Sequence, residues 1–223
     1  MQQELTAAGT ENTMSLKKLC GHLKTITKHK FLVMDLCFRC GMPAQGLLHD
    51  LSKYSITELR TGARYYLGTR SPNAEEKDEK GYSEAWLHHK GRNKHHFEYW
   101  IDPSGAQPYV KMPLKYALEM VCDRISACKA YHGKNYQDGD ALAYYQSRRH
   151  RSDAYMHPET AMLLEELLTR LRDEGEEKTT AYMRWLLKHP EHYENISQTS
   201  GIISEQPCKS ENSSEQPSES GNE

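Results

Sequence analysis

The string Leu47-Leu48-His49-Asp50-Leu51-Ser52-Lys53 sets an imidazole beside a carboxylate at the end of an apolar run. Both groups are good ligands for a borderline divalent ion such as Mn, Fe, Co, Ni or Zn. Neighbours on a helix point about 100° apart, so His49 and Asp50 can share one ion only if it sits over a helix end. Alternatively, Asp50 can bridge two ions. A lone His-Asp pair is a weak signal, because caps and salt bridges also produce it. Three further features strengthen it. His29 lies on the preceding helix between Ile26 and Val33, which directs its ring inward, where an imidazole must find a partner. Four histidines, His88, His89, His95 and His96, fall within nine positions beside Trp86 and Trp100. The pairs His88/His95 and His89/His96 share a face if the segment stays helical, whereas Gly91 can break it into two turns. The string Glu119-Met120-Val121-Cys122-Asp123-Arg124 carries acidic side chains inside an otherwise apolar helix. A buried carboxylate needs a metal, an arginine or several donors.

The elements that must position these residues are helical. Apolar residues from Leu16 to Cys37 recur at helical spacing, with Ser15 as a cap and Gly41-Met42-Pro43 as the stop. Short helices are predicted over Ala44–Lys53 and Ser55–Tyr66. Thr69–Gly81 reads as a charged loop, Tyr82–Trp100 as an aromatic and His-rich segment, and Asp102–Pro108 as turns. Longer helices follow over Leu114–Tyr131, Asp140–His150, Pro158–Arg172 and Glu176–His189, the last closed by Pro190. Leu163, Leu164, Leu167, Leu168 and Leu171 mark a buried face, and Trp185 and Leu186 read as core. Period-two alternation is nearly absent, so the fold class is all-α. Residues 1–14 read as a loose arm and 15–194 as one domain. Residues 195–223, rich in Ser, Glu, Gln, Asn and Pro, have the composition of a disordered acidic tail.

Composition excludes several functions. Lys and Arg number 29 against 31 Asp and Glu, which gives no general pull toward nucleic acid or anionic lipid. Arg148, Arg149 and Arg151 lack interleaved aromatics and read as a solvated face. No stretch approaches the roughly 20 apolar residues that span a bilayer. Met1–Glu11 lacks the basic-then-apolar pattern of a secretory signal, so a cytoplasmic location is expected. The six cysteines then read as reduced thiols. Cys37 and Cys40 form a Cys-x-x-Cys, with a redox or zinc role as the alternative to burial, but no second pair follows at zinc-ribbon spacing.

The order His29 … His49-Asp50 … Asp123 resembles the HD-domain superfamily of metal-dependent phosphohydrolases. "LLHDLSK" and "VCDRISA" look like that superfamily's His-Asp and late-Asp helices, and the inserted histidines resemble its two-metal branches. The chain looks closest to HD-like proteins bearing "HDLSK" and "NKHHFEYW" strings. The resemblance implies an HD-like helical bundle, with additional helices at the C-terminal end. It implies one or two divalent transition-metal ions held by His29, His49, Asp50 and Asp123, with Asp50 bridging. One of His88/His89 and one of His95/His96 would complete the second site. His89 is preferred because it directly precedes Lys90-Gly91 as the matching histidine does, and His95 is taken over His96. Asp50 and Lys53 would be the catalytic groups. Lys53, Arg124 and Lys94 would bind the substrate phosphate. Arg60, Arg64, Lys90 and Arg92 would add positive charge at the mouth, and Tyr54, Tyr65, Tyr66, Trp86, Tyr99 and Trp100 could stack on a base or sugar.

The expected function is metal-dependent hydrolysis of a small phosphorylated substrate, a nucleotide among the candidates. One alternative is a diiron oxygenase of the myo-inositol oxygenase type on the same site. Another is a non-catalytic module that binds a ligand or a partner through the Leu-rich helices of 158–190. Without metal, the His and Asp residues would form a buried hydrogen-bond network. Lys53 could be a surface lysine with a buried stem, and Glu58 reads as a solvated helix glutamate, with pairing to Lys53 or a place near the metals as the alternative. Neither a membrane nor nucleic acid is an expected partner, and a homo-oligomer stays open.

Overall fold

A computed structural model describes residues 13–152 and 154–199. Helix α1 (Leu16–Arg39) buries His22, Ile26, His29, Val33, Leu36 and Cys37, a stripe recurring every three or four residues. Its first half carries two imidazoles around Ile26 and its second half is apolar, so one helix faces both the site and the core. Ser15 precedes it in extended conformation, but its side chain makes no cap bond. Its amide instead donates to the Ala63 carbonyl, 3.0 Å away. Gly41, at φ 84°, reverses the chain into α2 (Pro43–Leu48). Gly46 lets α2 lie directly on α1, because a Cβ there would sit 3.1 Å from the Met34 Cα.

Helices α3 (Ile56–Tyr65), α4 (Pro72–Lys80) and α5 (Glu84–Lys90) form a layer beside α1. Helix α4 falls where a charged loop was expected. Ser71 caps it by accepting from the Asn73 amide, Pro72 occupies its first turn, and Gly81 closes it at φ 80°. These end signals outweigh its charge. Glu76 on α4 is buried, accepting from Lys80 and from the hydroxyls of Thr61 and Ser83.

Helix α6 (Leu114–His132) crosses α1, and α7 (Asp140–Ser152), α8 (Pro158–Glu174) and α9 (Glu176–Leu186) pack beyond it. Leu163, Leu164, Leu167, Leu168 and Leu171 on α8 are all buried in a core shared with Val33, Leu118, Val121, Ile125, Met183 and Leu186. Trp185 packs against this core from its edge. It is half-buried, its ring stacked between His189 and Tyr182 with centroids 4.4 and 5.6 Å away. Glu176 at the start of α9 pairs with both Arg39 and Lys129, tying the ends of α1 and α6 together.

The helical body also runs further than expected. Short helices α10 (Glu191–Glu194) and α11 (Ile196–Thr199) follow α9, and Ile196 is buried in the core. The apolar Tyr193 and Ile196 hold the chain down past the predicted boundary at 194. The remainder of the expected tail, 200–223, and of the arm, 1–12, lies outside the described residues, as does the side chain of Arg151. Arg148 and Arg149 are exposed as expected, Arg149 pairing with Glu165. The described residues form no strand, only an isolated antiparallel bridge between Ile101 and Tyr109. No helix among them is long and apolar enough to cross a membrane.

Candidate metal centre

Asp50 sits at the middle of the centre, and its backbone explains how. Helix α2 ends at Leu48, His49 is its C-cap, and Asp50 adopts φ 55°, ψ 26°. It is the one non-glycine residue with positive φ among those described. That conformation costs an L-residue about 1–2 kcal/mol, although Asp tolerates it better than most, and such strain concentrates at functional sites. The predicted continuous helix over Ala44–Lys53 is therefore two pieces, α2 and a 3₁₀ turn over Leu51–Tyr54, with His49 and Asp50 at the bend. Off the helix, the 100° offset no longer applies, and both side chains point the same way. Lys30 from α1 holds the bend by donating to the carbonyls of Leu47 and His49.

Each oxygen of Asp50 faces its own set of ligands. Oδ2 lies 3.2 Å from His49 Nε2 and 3.6 Å from His29 Nε2. Asp123 Oδ1 closes this half, 3.0 Å from His29 Nε2 and 3.6 Å from His49 Nε2. Oδ1 lies 3.2 Å from His89 Nε2 and 3.3 Å from His95 Nε2. His96 Nε2 closes that half, 2.9 Å from His89 Nε2. Within each set the ligand atoms all lie within 4.8 Å of one another. Five of these atoms, His29 Nε2, His49 Nε2, His95 Nε2 and both oxygens of Asp50, are buried with no well-formed hydrogen bond, only ion-pair contacts with one another, Asp123, His89 and Lys53. Buried polar atoms are rarely left so, and nitrogen and carboxylate oxygen are what a divalent transition ion takes. The residues present fit one ion in each half.

The far sides of the rings are tied to carboxylates. Glu119 Oε1 accepts from His49 Nδ1 at 2.9 Å and from His95 Nδ1 at 3.1 Å. Glu58 accepts from His88 Nδ1 at 2.9 Å and His89 Nδ1 at 3.0 Å. A ligating histidine is usually oriented in this way, its second nitrogen donating to a carboxylate so that the other is free for the ion. Trp86 backs the second half, stacked on His89 with centroids 5.8 Å apart and edge-on to His96 at 5.0 Å.

Electrostatics follow from this crowding. Burial raises the Asp50 carboxyl, but His49, Lys53 and His89 more than offset it and hold it well below the carboxylate range. Asp123 behaves likewise, burial being offset by its contacts with His29 and His49. Burial opposes ionisation of Glu119 too, and the bonds from His49 and His95 prevail. Burial and the neighbouring His95 and His89 push His96 well below the usual imidazole range, which favours its neutral ring.

Most residues expected at the site converge on it. His29, His49, Asp50, His89, His95 and Asp123 meet as described, and Lys53 Nζ is in ion-pair contact with Asp50 Oδ2. His88 turns aside to Glu58. His95 and His96 both point inward, so the choice between them falls away. Two residues expected at the substrate phosphate are turned toward aromatic rings instead. The Arg124 guanidinium stacks over Tyr145, 5.8 Å from its centroid, because its neighbour Asp123 takes the site-facing direction. The Lys94 ammonium lies 5.8 Å from the ring centroids of both Tyr99 and Tyr116, because the turn that buries His95 leaves Lys94 exposed. Arg64 is committed to Glu79 and Tyr65 is buried, bonded to the same carboxylate. Nor does 88–96 remain one helix. It ends at Lys90, and Asn93 Nδ2 takes the His89 carbonyl at 2.8 Å.

From sequence, Glu119 has no specific role, and a place for Glu58 beside Lys53 or the metals ranks behind a solvated one. Glu119 stands four residues before Asp123 on one helix face, and that spacing is the signal that could have found it. Glu58 is buried rather than solvated. The Cys37/Cys40 pair is buried and joins no candidate metal group among the described residues. Cys40 Sγ instead lies 3.8 Å from Met183 Sδ, and Cys122 contacts both thiols.

No curated protein and no solved structure matches the chain. One family model does match, over residues 18–170, from α1 to the last turns of α8, and takes in every residue of the centre. The chain therefore belongs to the family of unknown function DUF5662.

Proposed function

We propose that this protein is an HD-like, metal-dependent phosphohydrolase acting on a small phosphorylated molecule, a nucleotide among the candidates. The observation that carries the reading is Asp50, with one oxygen turned to each ligand set and Lys53 beside it. Divalent ions in such a pair of sites acidify water and offset charge on the phosphoryl oxygens. The chain's own residues do the rest. Asp50 fixes the spacing of the two halves. Glu119 and Glu58 set the tautomers of His49, His95 and His89. Lys53 is only partly buried, so its ammonium can reach a phosphoryl oxygen at the solvent side as a point charge. The free thiols Cys20, Cys37, Cys40, Cys122 and Cys128 support a cytoplasmic compartment.

The test is phosphate release from a panel of phosphomonoesters and nucleotides by the metal-replete protein. Activity is expected in the wild type and lost in His49→Ala and Asp50→Ala. A metal-replete wild type inert on the whole panel contradicts the reading. Turnover that requires oxygen would favour the oxygenase instead.

A further inference from the structure

We propose that the two halves of the centre are unequal and fill in order. The His89–His95–His96 half fills first and selects a nitrogen-preferring ion such as Zn(II) or Ni(II). The His29–His49–Asp123 half fills second, and its ion displaces Lys53 from Asp50. This rests on the dinuclear reading above.

Two independent observations carry it. The first is the donor sets. One half offers three imidazole nitrogens and one carboxylate oxygen, and the other offers two of each. Imidazole suits Zn, Cu, Fe and Ni, whereas carboxylate suits Mn and Mg. His96 makes the difference, since without it each half would have two imidazoles. Its ring is held in place by Trp86 and its Nε2 meets that of His89 at 2.9 Å.

The second is the position of Lys53. Its ammonium pairs with Asp50 Oδ2, the oxygen on the His29 side. Oδ1 is the oxygen nearest His89 Nε2 and His95 Nε2, whereas the ammonium is nearest Oδ2. Asp123 gives the His29 half a second carboxylate, which by itself would make that half the stronger cation trap. Lys53 cancels this advantage with one positive charge. Charge is then nearly level between the halves, and the imidazole count decides. An ion entering beside His29 must also push the ammonium off a shared oxygen, because like charges repel strongly in a buried site. The side chain is 24% exposed, so it can swing toward solvent. Filling the second site thereby turns Lys53 from a partner of Asp50 into a free cation on the side where an anionic substrate arrives.

The experiment is metal titration of the full-length metal-free protein with Zn(II), then with equal Zn(II) and Mn(II). Bound ions are counted by plasma mass spectrometry and Mn(II) is followed by electron paramagnetic resonance. Wild type should take two Zn(II) in resolved steps and, from the mixture, one of each. His96→Ala and His96→Gln should weaken the first step at least tenfold, while His29→Ala leaves it unchanged. Lys53→Met, which keeps every metal ligand in place, should tighten the second step at least tenfold, an effect a merely structural lysine would not give. Circular dichroism checks that each variant keeps its helices. Loss of the first step in His29→Ala, or an unchanged second step in Lys53→Met, overturns the proposal. Two ions bound with equal affinity overturn this inference alone, whereas no bound ion overturns the dinuclear reading as well.

Discussion

Glu119 offers a perturbation that reaches both halves of the centre through one side chain. Its Oε1 accepts from His49 Nδ1 and His95 Nδ1, one ligand from each half, and the residue is 5% exposed. Glu119→Ala leaves two buried N–H groups without an acceptor. Each orphan costs about 1–3 kcal/mol, so metal-free protein should lose about 2–6 kcal/mol of unfolding free energy, read from urea titration. Freed rings also lose their orientation. Outer-shell losses of this kind weaken metal binding by about 10–100-fold, and here both ions should be affected together. Glu119→Gln keeps an oxygen facing both rings and removes only the charge. It should cost about 1 kcal/mol per bond, the difference between charged and neutral hydrogen bonds. Metal affinity is measured by equilibrium dialysis with plasma mass spectrometry. Weakening of one ion alone, or neither, would refute the bridging role. So would Gln behaving as Ala does.

Two further perturbations act beside the centre. A Cβ at position 62 would sit 2.0 Å from His22 Cδ2, so Gly62→Ala should destabilise by about 1–3 kcal/mol. Adding His22→Ala should recover most of that loss, and thermal unfolding of the four-member cycle reads the coupling. His22 itself predicts a pH dependence. Burial, aided by Lys53, lowers its pKa from 6.5 to about 4. Above pH 6.5 both states are neutral there and nothing is lost. As pH falls toward 4 the unfolded chain takes up the proton first, so stability drops by about 3 kcal/mol at 1.36 kcal/mol per pH unit. His22→Gln should lack that component, giving a flatter stability profile between pH 6.5 and 4. Parallel profiles for the two proteins would contradict it.

Helix faces were legible because apolar spacing reports them directly. The Leu163–Leu171 stripe and the inward face of α1 follow from periodicity, and the same stripe carries His29. The order His29, His49-Asp50, Asp123 was legible for the same reason, each residue lying on or beside an apolar run. What spacing could not report is where the chain leaves a helix. The left-handed turn at Asp50 aims two adjacent side chains at one point, and the Gly91–Asn93 turn brings His96 in beside His95. Both bends are local backbone events that propensity reads poorly in a His- and Asp-rich string. Helix α4 was missed because its charge obscured good capping residues at each end. Arg124 and Lys94 were placed by proximity to ligands in sequence, yet neighbours on a helix or turn diverge, and their charges went to Tyr145, Tyr99 and Tyr116. Glu58 and Glu119 were hard to find because their partners are contributed by distant segments.

Anomalous diffraction from crystals of the metal-loaded protein, collected at the absorption edge of the ion supplied, tests the central claim most directly. Two peaks are predicted, one beside each oxygen of Asp50, the first among His29, His49 and Asp123 and the second among His89, His95 and His96. Protein crystallised from excess divalent ion with no anomalous density near Asp50 would contradict it.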